Sequence, residues 1–191
     1  MINGEKETGV TIMYMAEGMD TGDICMQYRT PVGEKTTEDL FAELAEAGAD
    51  LVLKAIDEVA AGTAVRLAQN EDEASLAPMV FKDEGIVDYS RTADEICCTV
   101  RGFYSWPMAS TFLNGQSVKL HRVVPGRKGS FAAPGTVISA GKHGIEVACG
   151  DGSVILEKIQ MPGKKPVDAA AFLLGHRLEP GTVFTGKNDE R

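Results

Sequence analysis

Apolar residues near the start of the chain fall into two short runs of β-branched and aromatic type. Val10-Thr11-Ile12-Met13-Tyr14-Met15 and Ile24-Cys25-Met26-Gln27-Tyr28-Arg29 predict two strands, the second with Ile24, Met26 and Tyr28 alternating onto one face. Between them, residues 16–23 read as a tight acidic loop with two glycines. The period then changes. Leu40, Leu44, Leu51, Val52, Ala55, Ile56 and Val59 recur at three-to-four spacing, which predicts an amphipathic helix with one apolar face. Thr36 or Thr37 supplies its N-cap, Glu38 and Asp39 suit the first turn, and Gly62 is a left-handed stop. From Asn70-Glu71-Asp72-Glu73 the chain is polar, with few core-forming residues until Met79-Val80-Phe81.

Thr92-Ala93-Asp94-Glu95 is a capping box that opens a second helix, running through Ile96, Val100 and Phe103 to a turn at Ser105-Trp106-Pro107. Helical periodicity then gives way to five short strands, at residues 109–113, 117–124, 135–139, 145–149 and 154–160. Asn114-Gly115, Pro125-Gly126, residues 141–144 and Asp151-Gly152 separate them, and such turns join antiparallel neighbours. The simplest closure is a five-stranded antiparallel barrel of OB type. Strict alternation places Lys119 and Arg122 on opposite faces of one strand. A short helix at 169–174 follows, ended by Gly175.

A chain of 191 residues with 43% hydrophobic and 25% charged residues has globular proportions. It contains no apolar run of the ~18 residues that would span a bilayer, and Met1-Ile2-Asn3-Gly4-Glu5-Lys6 is too polar for a secretory signal. The expectation is a cytoplasmic protein without membrane contact. Cys25, Cys97, Cys98 and Cys149 are too few and scattered for a disulfide framework, and a reduced compartment fits them.

The net charge of −9 conceals a division. Residues 1–81 carry 5 basic and 16 acidic side chains, whereas residues 101–177 carry 10 basic and 4 acidic. A basic module inside an acidic chain suggests a polyanion-facing surface, because clustered Lys and Arg release the counterions held at phosphates. Basic residues in and around the barrel, namely Lys119, Arg122, Arg127, Lys128, Lys142, Lys158, Lys164 and Lys165, are the candidate phosphate contacts. An ordinary solvated face is the competing reading.

The loop Glu17-Gly18-Met19-Asp20-Thr21-Gly22-Asp23 sets three carboxylates between two strands, where catalytic acids are commonly displayed and where surface turns are equally common. His121, His143 and His176 are dispersed, and none pairs with another ligand at metal-binding spacing, so no metal site is assigned. Gly141-Lys142-His143-Gly144 and Gly163-Lys164-Lys165 lack Walker spacing. Met13, Met15, Met19 and Met26 read as core filling.

Several of these residues, taken together, resemble a known family. Thr8-Gly9-Val10-Thr11-Ile12-Met13 followed by Gly18-Met19-Asp20-Thr21-Gly22-Asp23-Ile24 resembles the end of the catalytic domain of the methionyl-tRNA formyltransferases. Arg101-Gly102-Phe103-Tyr104-Ser105-Trp106-Pro107-Met108-Ala109 resembles that family's junction into its C-terminal domain. Asn114-Gly115-Gln116, Pro134-Gly135-Thr136-Val137, Gly150-Asp151-Gly152 and Gly163-Lys164-Lys165 then follow in the family's order. The first motif is shared among formyltetrahydrofolate-using transferases, and the set from Trp106 onward points to the tRNA enzyme.

The resemblance implies an α+β chain. Residues 1–69 would be the C-terminal remnant of a Rossmann-like formyltransferase domain (a β-hairpin plus a helix), 70–81 a linker, and 82–191 an OB-like C-terminal tRNA-binding domain with flanking helices. It also implies transfer of a formyl group from 10-formyltetrahydrofolate, as co-substrate, to the amino group of initiator methionyl-tRNA. In the family an Asn and a His separated by one residue polarise the formyl oxygen and shuttle protons, and an Asp orients the His and a water. Asp20 matches that Asp. The Asn-x-His element and the folate-binding strands lie upstream of the Thr-Gly-Val-Thr-Ile segment, and no Asn-x-His occurs in these 191 residues. No folate-contacting residue is therefore assigned, and the chain alone is expected not to formylate. The apolar face of the N-terminal piece is expected to pack against another chain, forming a homodimer, or to be poorly ordered. Two alternatives stand beside this reading: a non-catalytic tRNA-binding module, and the C-terminal part of a nucleotide-amino-sugar formyltransferase.

Overall fold

The computed structural model describes residues 1–186, and these divide into two compact units, Glu5–Met79 and Met1–Gly4 with residues 80–186. In the first unit, strands β1 (Glu7–Met13) and β2 (Ile24–Pro31) form an antiparallel hairpin with a bulge at Ile12/Met13. Helix α1 (Thr37–Ala61) packs on it. Both helix ends are set locally. The Thr36 hydroxyl accepts from the Asp39 amide at 3.2 Å while the Asp39 carboxylate accepts from the Thr36 amide at 2.8 Å, and Gly62 closes the helix at φ 71°. Hydrogen bonding from Thr36 holds the Asp39 carboxyl below its ordinary value.

The apolar stripe of α1 divides in two. Leu40 and Ala55 are buried and Leu44 and Leu51 half-buried, whereas Val52, Ile56 and Val59 stay exposed. The exposed group, with Ile12, Met13 and Cys25, lines an open apolar cleft of about 470 Å³. Beyond Gly62 the chain does not leave the unit at once. Leu67 forms an antiparallel bridge with Ile24, with backbone hydrogen bonds of 2.7 and 3.0 Å.

The second unit is built on helix α2 (Ala93–Gly102) and a curled antiparallel sheet. Its strands are β3 (Ser110–Leu113), β4 (Gln116–Lys128), β5 (Val137–Gly141), β6 (Gly144–Cys149), β7 (Gly152–Gln160), β8 (Val167–Asp168) and β9 (Phe184–Thr185). The spatial order is β5-β6-β7-β4-β3-β9, with β8 on β7. The Thr136↔Val183 bridge, beside Val137 N→Thr182 O at 2.8 Å, ties the β9 end back to the β5 edge and so closes the sheet on itself. The enclosed core holds Val118, Leu120, Ile145, Val147, Val154, Leu156, Ile159 and Phe184, with Ile96 and Val100 of α2 against it. Helix α3 (Ala169–Leu173) adds buried Phe172, on which His176 stacks at 4.2 Å.

Three local readings are corrected. Pro125-Gly126 is not a turn: β4 continues through Pro125, paired with Val154, and runs on to Lys128 with a register shift between Pro125 and Lys128. There the Ser153 hydroxyl replaces the missing backbone acceptor and takes the Arg127 amide at 2.8 Å. The β6–β7 turn is Gly150-Asp151, because Cys149 already pairs with Gly152. Lys119 and Arg122 do not lie on opposite faces. Leu120↔Ile159 and Val123↔Leu156 both point into the core, and the irregularity between them leaves His121 and Arg122 outside on β4.

Candidate functional site

The loop between β1 and β2 is a tied structure. Tyr14 N donates to Asp23 O at 2.9 Å across its base, and Thr21 Oγ1 donates to Gly18 O at 3.1 Å near its tip. Gly22 is buried against Tyr14, where a Cβ would run into the Tyr14 carbonyl. Asp20 sits at left-handed φ 56°, a conformation that Asp tolerates better than most residues, with its side chain exposed.

The returning segment after α1 grips this loop at three points. Arg66 lies over the Tyr14 ring at 4.0 Å and reaches Asp23 at 3.5 Å. Leu67 pairs with Ile24, and Gln69 Nε2 donates to the carbonyls of Asp20 and Gly22, both at 2.7 Å. Sequence reading missed Arg66 and Gln69. The one signal was Val65 and Leu67 flanking Arg66, a short strand-like alternation after the helix stop.

The basic residues of the second unit separate into two groups. Lys119 pairs across β4 and β7 with Gln160, and Arg122 with Lys158, so these four are neighbours on adjoining strands. Gln160 links the group further: its Oε1 meets His121 Nε2 at 2.9 Å and its Nε2 donates to Lys164 O at 2.7 Å. Tyr104 packs edge-on against His121 at 5.9 Å. Lys165 adjoins Lys164 and is exposed. The other group, Arg127, Lys128 and Lys142, lies at the far end of β4 and in the β5–β6 turn.

Not all eight charges are available. Arg122 pairs with Glu157 at 2.8 Å in an exposed ion pair, which holds weakly. Arg127 is committed more firmly: its Nε and Nη2 reach the two Glu146 oxygens at 2.8 and 3.0 Å, and Ser153 and Ser139 donate to the same carboxylate at 2.8 and 3.0 Å. The hydrogen-bonded guanidinium holds the Glu146 carboxyl below its usual range. No ion pair occupies Lys119, Lys128, Lys142, Lys158, Lys164 or Lys165 among the described residues. Among those residues, too, no group of three His, Cys, Asp or Glu is placed to hold a metal ion, and no helix is long and apolar enough to cross a membrane.

Comparison with known proteins bears on both units. Residues 79–177 match the family described as "Formyl transferase, C-terminal domain", and residues 1–56 match "Formyl transferase". The methionyl-tRNA formyltransferase of Geotalea uraniireducens (strain Rf4) is 41% identical over 190 residues, a match covering 99% of this chain and 60% of that protein. The chain thus spans about three-fifths of the length of such relatives. Among solved structures, HypX from Aquifex aeolicus in complex with tetrahydrofolic acid aligns at TM-score 0.63 and 22% identity, covering 90% of this chain and 31% of that one. An N-formyltransferase from Helicobacter canadensis, in complex with folinic acid and dTDP-3-aminofucose, aligns at 0.62 and 23%, covering 84% and 58%. At these identities the likeness is one of fold. With a family domain matched over more than half its length, the chain belongs to the formyl transferase family.

Proposed function

We propose that this chain supplies the loop carboxylate and the tRNA-binding barrel for formyl transfer from 10-formyltetrahydrofolate to the amino group of initiator methionyl-tRNA. The observation that carries the reading is the Asp20 loop: an exposed carboxylate on backbone fixed from three sides, in a chain 41% identical to a methionyl-tRNA formyltransferase. In this chemistry the amine attacks the formyl carbon, the carbonyl oxygen becomes a tetrahedral oxyanion, and the departing folate nitrogen takes a proton. Asp20 acts by orienting the imidazole of an Asn-x-His element carried on the upstream part of the domain. The open cleft beside Val52, Ile56 and Val59 is the surface that this upstream part covers. The barrel contributes Lys119, Lys158, Lys164 and Lys165 toward phosphates, and Trp106, 61% exposed, offers a face for stacking. The protein works in the cytoplasm.

The test is a fusion in which the upstream part of the Geotalea uraniireducens enzyme precedes this chain. The fusion is expected to formylate methionyl-tRNA and the 191 residues alone are not; turnover by the 191 residues alone would overturn the division of labour. Binding of tRNA without turnover by the fusion would favour a non-catalytic module, and formylation of a nucleotide-linked amino sugar in place of methionyl-tRNA would favour the sugar reading. A dimer of the 191-residue chain in sedimentation velocity would put a second copy on the apolar cleft instead.

A further inference from the structure

We infer that Gln69 is a positioning residue for Asp20, a role that rests on the catalytic reading of Asp20 given above. Its side-chain amide is a two-proton donor whose two short bonds go to one loop: Nε2 lies 2.7 Å from Asp20 O and 2.7 Å from Gly22 O, with Met13 Sδ a distant third acceptor at 4.0 Å. The two acceptors lie on either side of Thr21, so the amide fixes the turn that carries the carboxylate without touching the carboxylate. This matters because Asp20 holds left-handed φ 56°, a sparsely populated conformation for a non-glycine residue that persists only where its surroundings determine it. Gln69 is itself anchored by the Leu67–Ile24 bridge two residues before it and by Arg66 on Tyr14 and Asp23. The short return after α1 is therefore a clasp, with its backbone bonded to β2 and its last side chain holding the loop. Misplacing a catalytic group by ~1 Å costs on the order of a hundredfold in rate, so a clasp on the main chain at Asp20 acts on turnover and leaves substrate binding alone.

The probe is Gln69→Glu, which keeps the shape of the side chain and removes both donors from an exposed position, so the fold survives. In the 191-residue chain, order parameters of the amides of residues 20–22 are expected to fall from the rigid range near ~0.85 toward ~0.6, while those of α1 do not change. Unchanged loop order would overturn the clasp. In the fusion enzyme, Gln69→Glu is expected to lower kcat about tenfold to a hundredfold with KM for methionyl-tRNA unchanged. Gln69→Arg, which keeps donors, is expected to recover part of the loss. Adding Gln69→Glu to Asp20→Ala should cost nothing further; an additive loss, or one confined to KM, would overturn a role exerted through Asp20. Full formylation by Asp20→Ala would remove the catalytic reading itself and with it any positioning role, while the loop-order measurement would still decide whether the clasp exists.

Discussion

Arg127 holds Glu146 by two parallel hydrogen bonds, Nε to Oε1 at 2.8 Å and Nη2 to Oε2 at 3.0 Å, while its guanidinium lies 4.6 Å from the centre of the Phe131 ring. A residue whose place in a basic strand suggested a phosphate contact is thus already paired. The arrangement repairs a weak point of the barrel, where β4 loses its register to β7 after Pro125. Ser153 accepts the stranded Arg127 amide and donates to Glu146, so backbone and side-chain bonding at the break form one network.

Replacing the acceptor tests that network. Glu146→Gln removes a carboxylate that accepts from Arg127, Ser139 and Ser153, and is expected to cost about 1–2 kcal/mol at neutral pH by urea unfolding. The folded-state pKa of Glu146 is depressed, chiefly by Arg127, so its contribution is present above the ordinary glutamate value of 4.5 and is lost as pH falls below it. The wild-type and variant stability curves should therefore converge in acid; a constant gap down to the acid transition would contradict this.

If the barrel binds tRNA as proposed, the salt dependence of that binding is expected to separate paired from unpaired cations. Each phosphate contact contributes about −0.7 to −0.9 to the slope of log K against log salt. Lys119→Ala, Lys158→Ala and Lys164→Ala are each expected to make the slope shallower by about 1. Arg127→Ala is expected to leave it unchanged, because that charge is already met by Glu146. A steep loss with Arg127→Ala, measured by filter binding across a salt series, would return Arg127 to the phosphate-contacting set.

Gly22 is a second point where backbone geometry dictates the residue. A Cβ there runs into the Tyr14 carbonyl, and both strand ends are fixed by the Tyr14–Asp23 hydrogen bond, so neither side yields easily. Gly22→Ala is expected to destabilise the Glu5–Met79 unit by about 1–3 kcal/mol. Amide exchange at Tyr14 should accelerate accordingly, while the barrel amides of Val147 and Leu156 keep their protection.

What the sequence made legible was local. Thr36, Gly62 and the Thr92 box mark helix ends because each cap is satisfied by residues within four positions. Asn114-Gly115 marks a two-residue hairpin because both residues take positive φ, 51° and 77°. Residues whose roles depend on distant partners were not legible. Gln69 acts on carbonyls 47 and 49 positions away, and the Arg127 amide, just past Pro125 on β4, finds its acceptor on Ser153, 26 positions along the chain. The α1 stripe shows the intermediate case: its period was readable, but not which part of it the hairpin would cover.

The capping box of α2 offers a prediction in which two substitutions at one site give different pH signatures. Thr92 Oγ1 accepts from the Glu95 amide at 3.3 Å, and the Glu95 carboxylate accepts from the Thr92 amide at 3.0 Å. Thr92→Ala removes the first bond, together with the 2.8 Å bond that the hydroxyl donates to the Glu95 carboxylate, and is expected to cost about 1 kcal/mol, because an orphan amide of the first turn loses its partner. It keeps the backbone N–H of residue 92, which is the leading cause of the lowered Glu95 pKa. A depressed carboxylate pKa stabilises the fold above its unfolded value and loses that effect as pH falls through the folded one, so Thr92→Ala should retain much of the acid sensitivity below pH 4.5. Glu95→Gln should remove that sensitivity while retaining the hydroxyl cap. Thermal unfolding of both variants at pH 7 and pH 3 decides the matter: if Glu95→Gln destabilised equally at the two pH values, the carboxylate would not be the charged member of the box.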